Sequence, residues 1–151
     1  MREHQGGCLC GDIRYQTNAD PAITAVCHCR YCQLRTGSAF STFVYFEQTQ
    51  FILLKGALKI FNFVSESGGK WETRFCQSCG TTIACVLEVR PGLIGVSGGT
   101  FDPPAFWYAL TREVFQRSKA SFVGEIRARQ HHSTMTSYNP VVPEPSQKRG
   151  G

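Results

Sequence analysis

Apolar positions along this chain fall in short runs of β-branched and aromatic residues broken by glycine-rich turns, which is the pattern of strands rather than helices. The runs predict strands over 13–16, 24–26, 39–46, 51–54, 58–64, 71–75, 81–88 and 93–96. Leu58, Ile60 and Phe63 suggest one buried face for the run at 58–64, whereas 38–46 is too mixed for its faces to be assigned. Helix is scarce. The best helical turn covers Tyr31 to Thr36 and is stopped by Gly37, a common residue after a helix end; a second turn is expected over 104–109. Residues 65–70, Ser-Glu-Ser-Gly-Gly-Lys, read as a hairpin loop feeding the strand at 71–75.

With 151 residues and 11 phenylalanines, the chain has enough apolar material for one core, so one mainly β domain over residues 1–129 is expected. Beyond Glu125 apolar residues thin out and Arg127, Arg129, His131, His132 and three prolines follow. Such composition cannot offset the entropy of ordering it, and 130–151 reads as a flexible C-terminal tail.

Net charge changes little in this picture. The formal +5 is concentrated late in the chain: residues 1–111 hold 9 Lys+Arg against 8 Asp+Glu, and 112–151 hold 7 against 3. That distribution does not make a phosphate-tracking face, so nucleic acid is not expected as a partner. No run of about 18 apolar residues exists to span a membrane.

Cysteine placement carries the chemistry. Seven of the eight cysteines form three clusters: Cys8-Leu9-Cys10, Cys27-His28-Cys29-Arg30-Tyr31-Cys32 and Cys76-Gln77-Ser78-Cys79. Cystines are the competing reading, but the polar opening Met1 to Gly7 runs into the first cluster without an apolar leader. The expected compartment is therefore reducing and cytoplasmic, where clustered cysteines act as ligands. Zinc takes four thiolates tetrahedrally, and cysteines one or two residues apart can turn both sulfurs to one ion. The outer pairs, Cys8 and Cys10 with Cys76 and Cys79, suit a closed structural zinc site, with Gly11 and Gly80 following each pair where backbone must turn around sulfur. Cys27, Cys29 and Cys32 then form a second site with an open position, giving two Zn²⁺ per chain. Bound thiols are deprotonated, so seven thiolates against two dications lower +5 to about +2.

His28 is the rival fourth ligand of the middle cluster. On a strand it faces opposite to Cys27 and Cys29, so it is expected to turn away and to serve by hydrogen bonding or substrate contact. Three sulfurs make zinc a weak activator of water but a good acceptor for an incoming thiol, which loses its proton there and stays nucleophilic. Phe40, Tyr45 and Phe101 are candidates to exclude water, and Arg30 and Arg35 could grip carboxylates. Cys85, inside Ile83-Ala84-Cys85-Val86-Leu87, reads as a buried small hydrophobe. Phe106-Trp107-Tyr108 reads as aromatic core and His131-His132 as solvated tail.

Gly7-Cys8-Leu9-Cys10-Gly11-Asp12-Ile13-Arg14-Tyr15, Cys27-His28-Cys29 with Cys32, Thr36-Gly37-Ser38-Ala39-Phe40, Phe75-Cys76-Gln77-Ser78-Cys79-Gly80-Thr81 and Gly99-Thr100-Phe101-Asp102 follow one another in an order that resembles the glutathione-dependent formaldehyde-activating enzyme family, which shares its domain with centromere protein V. The likeness covers roughly residues 6 to 125. It implies an Mss4-like, zinc-stabilised all-β sandwich or tent and carbon–sulfur lyase chemistry of the S-(hydroxymethyl)glutathione synthase kind. By motif, Cys8, Cys10, Cys76 and Cys79 would hold the structural zinc, and Cys27, Cys29 and Cys32 the catalytic one. Glutathione's sulfur would meet the second zinc, with Gly37, Ser38 and the Gly98-Gly99-Thr100 turn near the pocket. Departures lie near the C-terminal end of the match, where Phe122 replaces a frequent tryptophan and no histidine adjoins Glu113.

Two functions follow: a lyase acting on a small thiol adduct, with a thiol such as glutathione as partner, or a non-catalytic zinc-stabilised module that binds protein or chromatin. Oligomeric state is left open, a homodimer being one form.

Overall fold

Along Ser41–Glu47, successive side chains enter two different cores. Phe43 and Tyr45 join one cluster, while Val44 and Phe46 join the other. A strand covered on both faces loses its polar alternation, which is why this run has no readable faces in the sequence. This strand is β4 of a computed structural model that describes residues 2–65, 68–135 and 138.

In chain order the elements are β1 His4–Gly7, β2 Arg14–Thr17, β3 Ile23–Cys27, α1 Arg30–Thr36, β4 Ser41–Glu47, β5 Phe51–Lys55, β6 Leu58–Val64, β7 Lys70–Cys76, β8 Thr82–Leu87, β9 Leu93–Ser97, β10 Leu110–Val114 and β11 Ala128–His131. A three-stranded sheet runs β1-β2-β5, and an eight-stranded sheet runs β11-β10-β3-β4-β9-β8-β7-β6. Pairing is antiparallel except where β10 lies parallel to both β3 and β11. The small sheet covers one face of the large one through Ile13, Tyr15 and Phe51 against Val44, Phe46 and Val96. The other face gathers Cys27, Cys29, Cys32, Phe43, Tyr45, Trp71 and Leu87 beneath α1 and the segment after β10.

The expected all-β fold and its eight strands are present, with ends displaced by a few residues. Helix α1 ends as expected: Gly37 is left-handed, and its N–H reaches the Gln33 carbonyl. Other expectations are corrected. Residues 104–109 form turns, not a helix. Strand β6 lies at a sheet edge with Ile60 and Phe61 exposed, so 58–64 has no single buried face. Leu58 and Phe63 pack instead into opposite cores. Strands β1, β10 and β11 had no apolar run to announce them. Gln130 and His131, expected to begin a tail, belong to β11, and Met135 and Tyr138 pack on the Cys27 core. The carbonyls of His132, Ser133 and Thr134 accept the N–H groups of Gln116, Arg117 and Phe115, and residues 136, 137 and 139–151 of the expected tail, with 66 and 67 of the 65–70 loop, lie outside the described residues.

Candidate metal centres

The first centre joins two hairpin turns from different sheets. Cys8 and Cys10 lie between β1 and β2, Cys76 ends β7, and Cys79 sits in the turn before β8. Their four sulfurs all lie within 4.8 Å of one another. Cys8 Sγ is 3.6 Å from Cys10 Sγ, which is 3.8 Å from Cys76 Sγ. A tetrahedral zinc–thiolate shell with bonds of ~2.3 Å has sulfur–sulfur edges of about 3.8 Å, so the donor set fits such an ion. Gly11 and Gly80 adopt φ of 86° and 79°, and their N–H groups return to the Cys8 and Cys76 carbonyls, closing each turn around its sulfurs.

Donors converge on these sulfurs as on a charged ligand. Ile13 N–H reaches Cys8 Sγ at 3.2 Å, and Thr81 Oγ1 lies 3.2 Å from Cys79 Sγ. Hydrogen bonds from the Thr81 hydroxyl and N–H and from the Cys10 N–H draw the Cys79 thiol down to about 5. Motif residues outside the cysteines brace the same region. Tyr15 Oη meets Thr100 Oγ1 at 2.8 Å, and Arg14 forks onto Asp102.

The second centre is built where β3 turns into α1. Cys27 ends the strand, Cys29 caps the helix by accepting the Cys32 N–H, and Cys32 lies in the first turn. All three are buried, with sulfurs within 4.8 Å of one another. Hydrogen bonds from Cys27 and Cys29, helped by Arg35 and Ser41, hold the Cys32 thiol well below its ordinary range. Cys29 is pushed well above it by its two sulfur neighbours and burial. Cys27 gains a hydrogen bond from Cys29 but ends raised by Cys32 and burial. Three thiolates packed this closely in a buried pocket would need a cation among them. Among the described residues the group closes at three sulfurs, with no histidine or carboxylate as a fourth donor.

His28 stays out of the sulfur group, as expected, although β3 ends at Cys27 and the residue lies in the turn into α1 rather than on a strand. Its ring is fully buried, edge-on to Phe40 at 5.5 Å, and Nε2 lies 2.8 Å from Glu113 Oε2. Glu113, also buried, takes His131 Nδ1 at 2.7 Å, Gln116 Nε2 at 2.8 Å and Lys119 Nζ at 3.2 Å. Burial alone would raise its carboxyl, but the bonds from His131, His28, Lys119 and Gln116 outweigh burial and bring it to about 2. The sequence reading missed this hub. Its signal was a lone carboxylate in Leu110-Thr-Arg-Glu-Val-Phe115, and His131 was assigned to a solvated tail.

Against the sulfurs of Cys27 and Cys29 lies a cavity of about 60 Å³, walled by Tyr31, Phe43, Tyr45, Trp71 and Phe115, with Arg90 among its lining residues. Cys32 lies outside that lining. Phe115 holds a left-handed backbone at φ 59°, a strained choice for a bulky residue that carries the chain off β10 and over the cavity. Tyr45 walls the cavity as expected, but Phe101 belongs to the opposite core and Phe40 packs on His28. Gly37, Ser38 and Arg30 line a separate groove with Phe122, and Arg35 lies over the Phe43 ring and lines a third. Thr100 braces Tyr15. Cys85 is buried beside Thr73, and Trp107 and Tyr108 pack on the second core while Phe106 is exposed.

The model of the glutathione-dependent formaldehyde-activating enzyme family matches residues 3–118. The chain belongs to that family. An uncharacterized lyase of Schizosaccharomyces pombe is 30% identical over 83 residues, 55% of this chain. The matched part spans 57% of that relative's length. The crystal structure of a Rhodobacter sphaeroides protein superposes with a TM-score of 0.54 over 69% of this chain and 95% of the other, at 19% identity, a likeness of fold. Among the described residues no helix is long and apolar enough to cross a membrane.

Proposed function

We propose that this chain is a zinc-dependent carbon–sulfur lyase acting on a hydroxymethyl thiol adduct, in the manner of S-(hydroxymethyl)glutathione synthase. Membership of the family and the lyase relative support the reaction class. The observation that carries the reading is the three-sulfur cluster set against an aromatic-walled cavity, with no fourth cysteine, histidine or carboxylate in the cluster among the described residues. Cys8, Cys10, Cys76 and Cys79 would hold a structural zinc, and Cys27, Cys29 and Cys32 a catalytic one. Bound there, zinc supplies a soft acceptor for a thiol sulfur and lowers that thiol's pKa.

The reaction needs no oxidant. In the adduct R–S–CH₂–OH the carbon–sulfur bond breaks with its electron pair going to sulfur, the hydroxyl proton leaves, and its bonding pair completes the carbonyl of formaldehyde; synthesis is the reverse. The chain's own residues orient and exclude. Tyr31, Phe43 and Trp71 keep water from the sulfur, and Glu113 fixes the His28 ring so that Cys27 and Cys29 face the cavity. A cytoplasmic setting suits free thiolates and a glutathione-type partner.

Cobalt substituted into the protein tests this reading. Titration with glutathione or a simpler thiol should change the ligand-field spectrum, and Cys29→Ser should abolish turnover while far-UV circular dichroism is retained. A Cys29→Ser protein with undiminished function would favour the protein- or chromatin-binding module, for which exposed Ile60 and Phe61 on edge strand β6 offer a surface.

A further inference from the structure

A segment beyond the family match builds part of the cavity. The match ends at residue 118, yet residues 128–135 return along β10 and reach the core around Cys27. Resting on the lyase reading, we propose that this strap is the thiol-selecting wall of the site. It holds Phe115 over the cavity and sets Met135 beside it, and these two side chains limit the bulk a thiol carries near its sulfur.

Phe115 cannot hold its place alone. Its φ of 59° is one that a bulky side chain keeps only when the surroundings impose it. The strap imposes it. Three consecutive N–H groups, of Phe115, Gln116 and Arg117, donate to the carbonyls of Thr134, His132 and Ser133 at 2.9, 3.1 and 3.2 Å. Just before them, the parallel register sets His131 beside Glu113, and His131 Nδ1 lies 2.7 Å from the Glu113 carboxylate. Just after them, Tyr138 meets the Phe115 ring edge-on at 5.4 Å. Arg117 donates to Tyr138 Oη at 2.8 Å and lies over the Tyr138 ring at 4.9 Å. Each of these contacts joins a residue inside the family match to one beyond it.

Met135 follows directly on the carbonyl that fixes Phe115. Its side chain lines the cavity with Cys27, Cys29 and Phe115 and packs on the same core, and its carbonyl accepts the Tyr138 N–H at 3.2 Å. The backbone is therefore pinned on both sides of it. An unbranched thioether chain fits against rings and brings neither charge nor a hydrogen-bond donor. A wall of this kind sorts ligands by apolar bulk, and such sorting is graded rather than absolute. It ranks thiols by size near the sulfur without rejecting glutathione.

The experiment uses the zinc-loaded full chain with formaldehyde and either glutathione or 2-mercaptoethanol, following adduct exchange by NMR, and the cobalt-substituted chain for the affinity of each thiol. In Met135→Ala the kcat/KM ratio of glutathione to 2-mercaptoethanol should rise about fivefold at unchanged metal content, and the affinity ratio with it. Met135→Leu keeps the bulk and should stay within about twofold of wild type. Tyr138→Ala loosens the strap; it should move the ratio the same way and speed amide hydrogen exchange at Phe115, Gln116 and Arg117. A folded Met135→Ala with its ratio within about twofold of wild type would overturn the inference and leave the lyase reading standing. Should Met135→Ala not fold, Tyr138→Ala decides by the same threshold. If wild type turns over neither thiol and neither perturbs the cobalt spectrum, the lyase reading fails and the inference falls with it.

Discussion

His28 Nε2 and Glu113 Oε2 are 2.8 Å apart, both side chains are buried, and 85 residues of chain separate them. The contact fixes the one residue between Cys27 and Cys29, where β3 turns into α1. Parallel pairing of β10 with β3 makes it: Val26 stands beside Glu113 and Cys27 beside Val114, and the His28 N–H bonds the Val114 carbonyl. A buried carboxylate is tolerable there because four donors surround it, two of them from His28 and His131.

Removing that carboxylate should therefore be severe. Glu113→Leu leaves His28, Lys119 and Gln116 without their acceptor and is expected to cost about 3–5 kcal/mol. Urea unfolding of the metal-loaded protein measures it. Glu113→Gln keeps one carbonyl acceptor and should lose less. Equal unfolding midpoints for wild type and Glu113→Leu would mean that the hub contributes nothing to the fold.

The same carboxylate gives a pH dependence with a defined sign. Its folded-state pKa of about 2 lies below the ordinary 4.5, so the folded chain binds this proton less readily than the unfolded chain. The stabilisation is complete above about 4.5 and disappears as pH falls toward about 2. Acid also protonates thiolates and frees metal, so the useful quantity is the difference between wild type and Glu113→Gln at equal metal loading. That difference should shrink between pH 4.5 and 2. A constant difference across the interval would remove Glu113 from the acid response.

Cysteine spacing made both sulfur clusters legible in advance, because CxC and CxxC can turn their sulfurs to one point whatever the surrounding fold. The central strands were legible too, since β3, β4, β8 and β9 are runs of β-branched and aromatic residues buried in the middle of the large sheet. Strands that owe their place to pairing rather than composition were not. His4–Gly7 is held by Arg14–Thr17, and Ala128–His131 by its neighbour β10. Glu113 and His131 each look solvent-directed in isolation, and only the parallel register of β3, β10 and β11 brings them to one buried point. The cavity was half legible. Tyr45 was anticipated, but Trp71 and Phe115 arrive from a distant strand and from a left-handed turn that no local pattern signals.

The two centres should respond differently to loss of a ligand. Cys8 and Cys10 clip the small sheet to Cys76 and Cys79 of the large one, across a chain separation of 66 residues between Cys10 and Cys76. Structural zinc contributes on the order of 10–16 kcal/mol of apparent binding free energy that becomes folding free energy. Cys10→Ser is expected to give unfolded or aggregated protein. Cys29→Ser is expected to fold and to carry one zinc, against two expected for the wild type. Metal content by plasma emission with circular dichroism separates these outcomes; full folding of Cys10→Ser without metal would deny the first centre its structural role.

Trp71 belongs both to the core around Cys27 and to the cavity wall, where it meets Phe43 at 6.2 Å and Phe63 at 5.1 Å between ring centroids. Replacing it with alanine removes a large buried ring and should cost about 3–5 kcal/mol of stability. The space released lies beside Cys27 and Cys29, so the variant should admit bulkier thiols. Relative to wild type, kcat/KM for a bulky thiol such as glutathione should rise against that for a small one such as 2-mercaptoethanol even as the unfolding midpoint falls. A destabilised Trp71→Ala with unchanged thiol preference would place the ring in the core alone, and would mean that the thiol approaches the three sulfurs from another side.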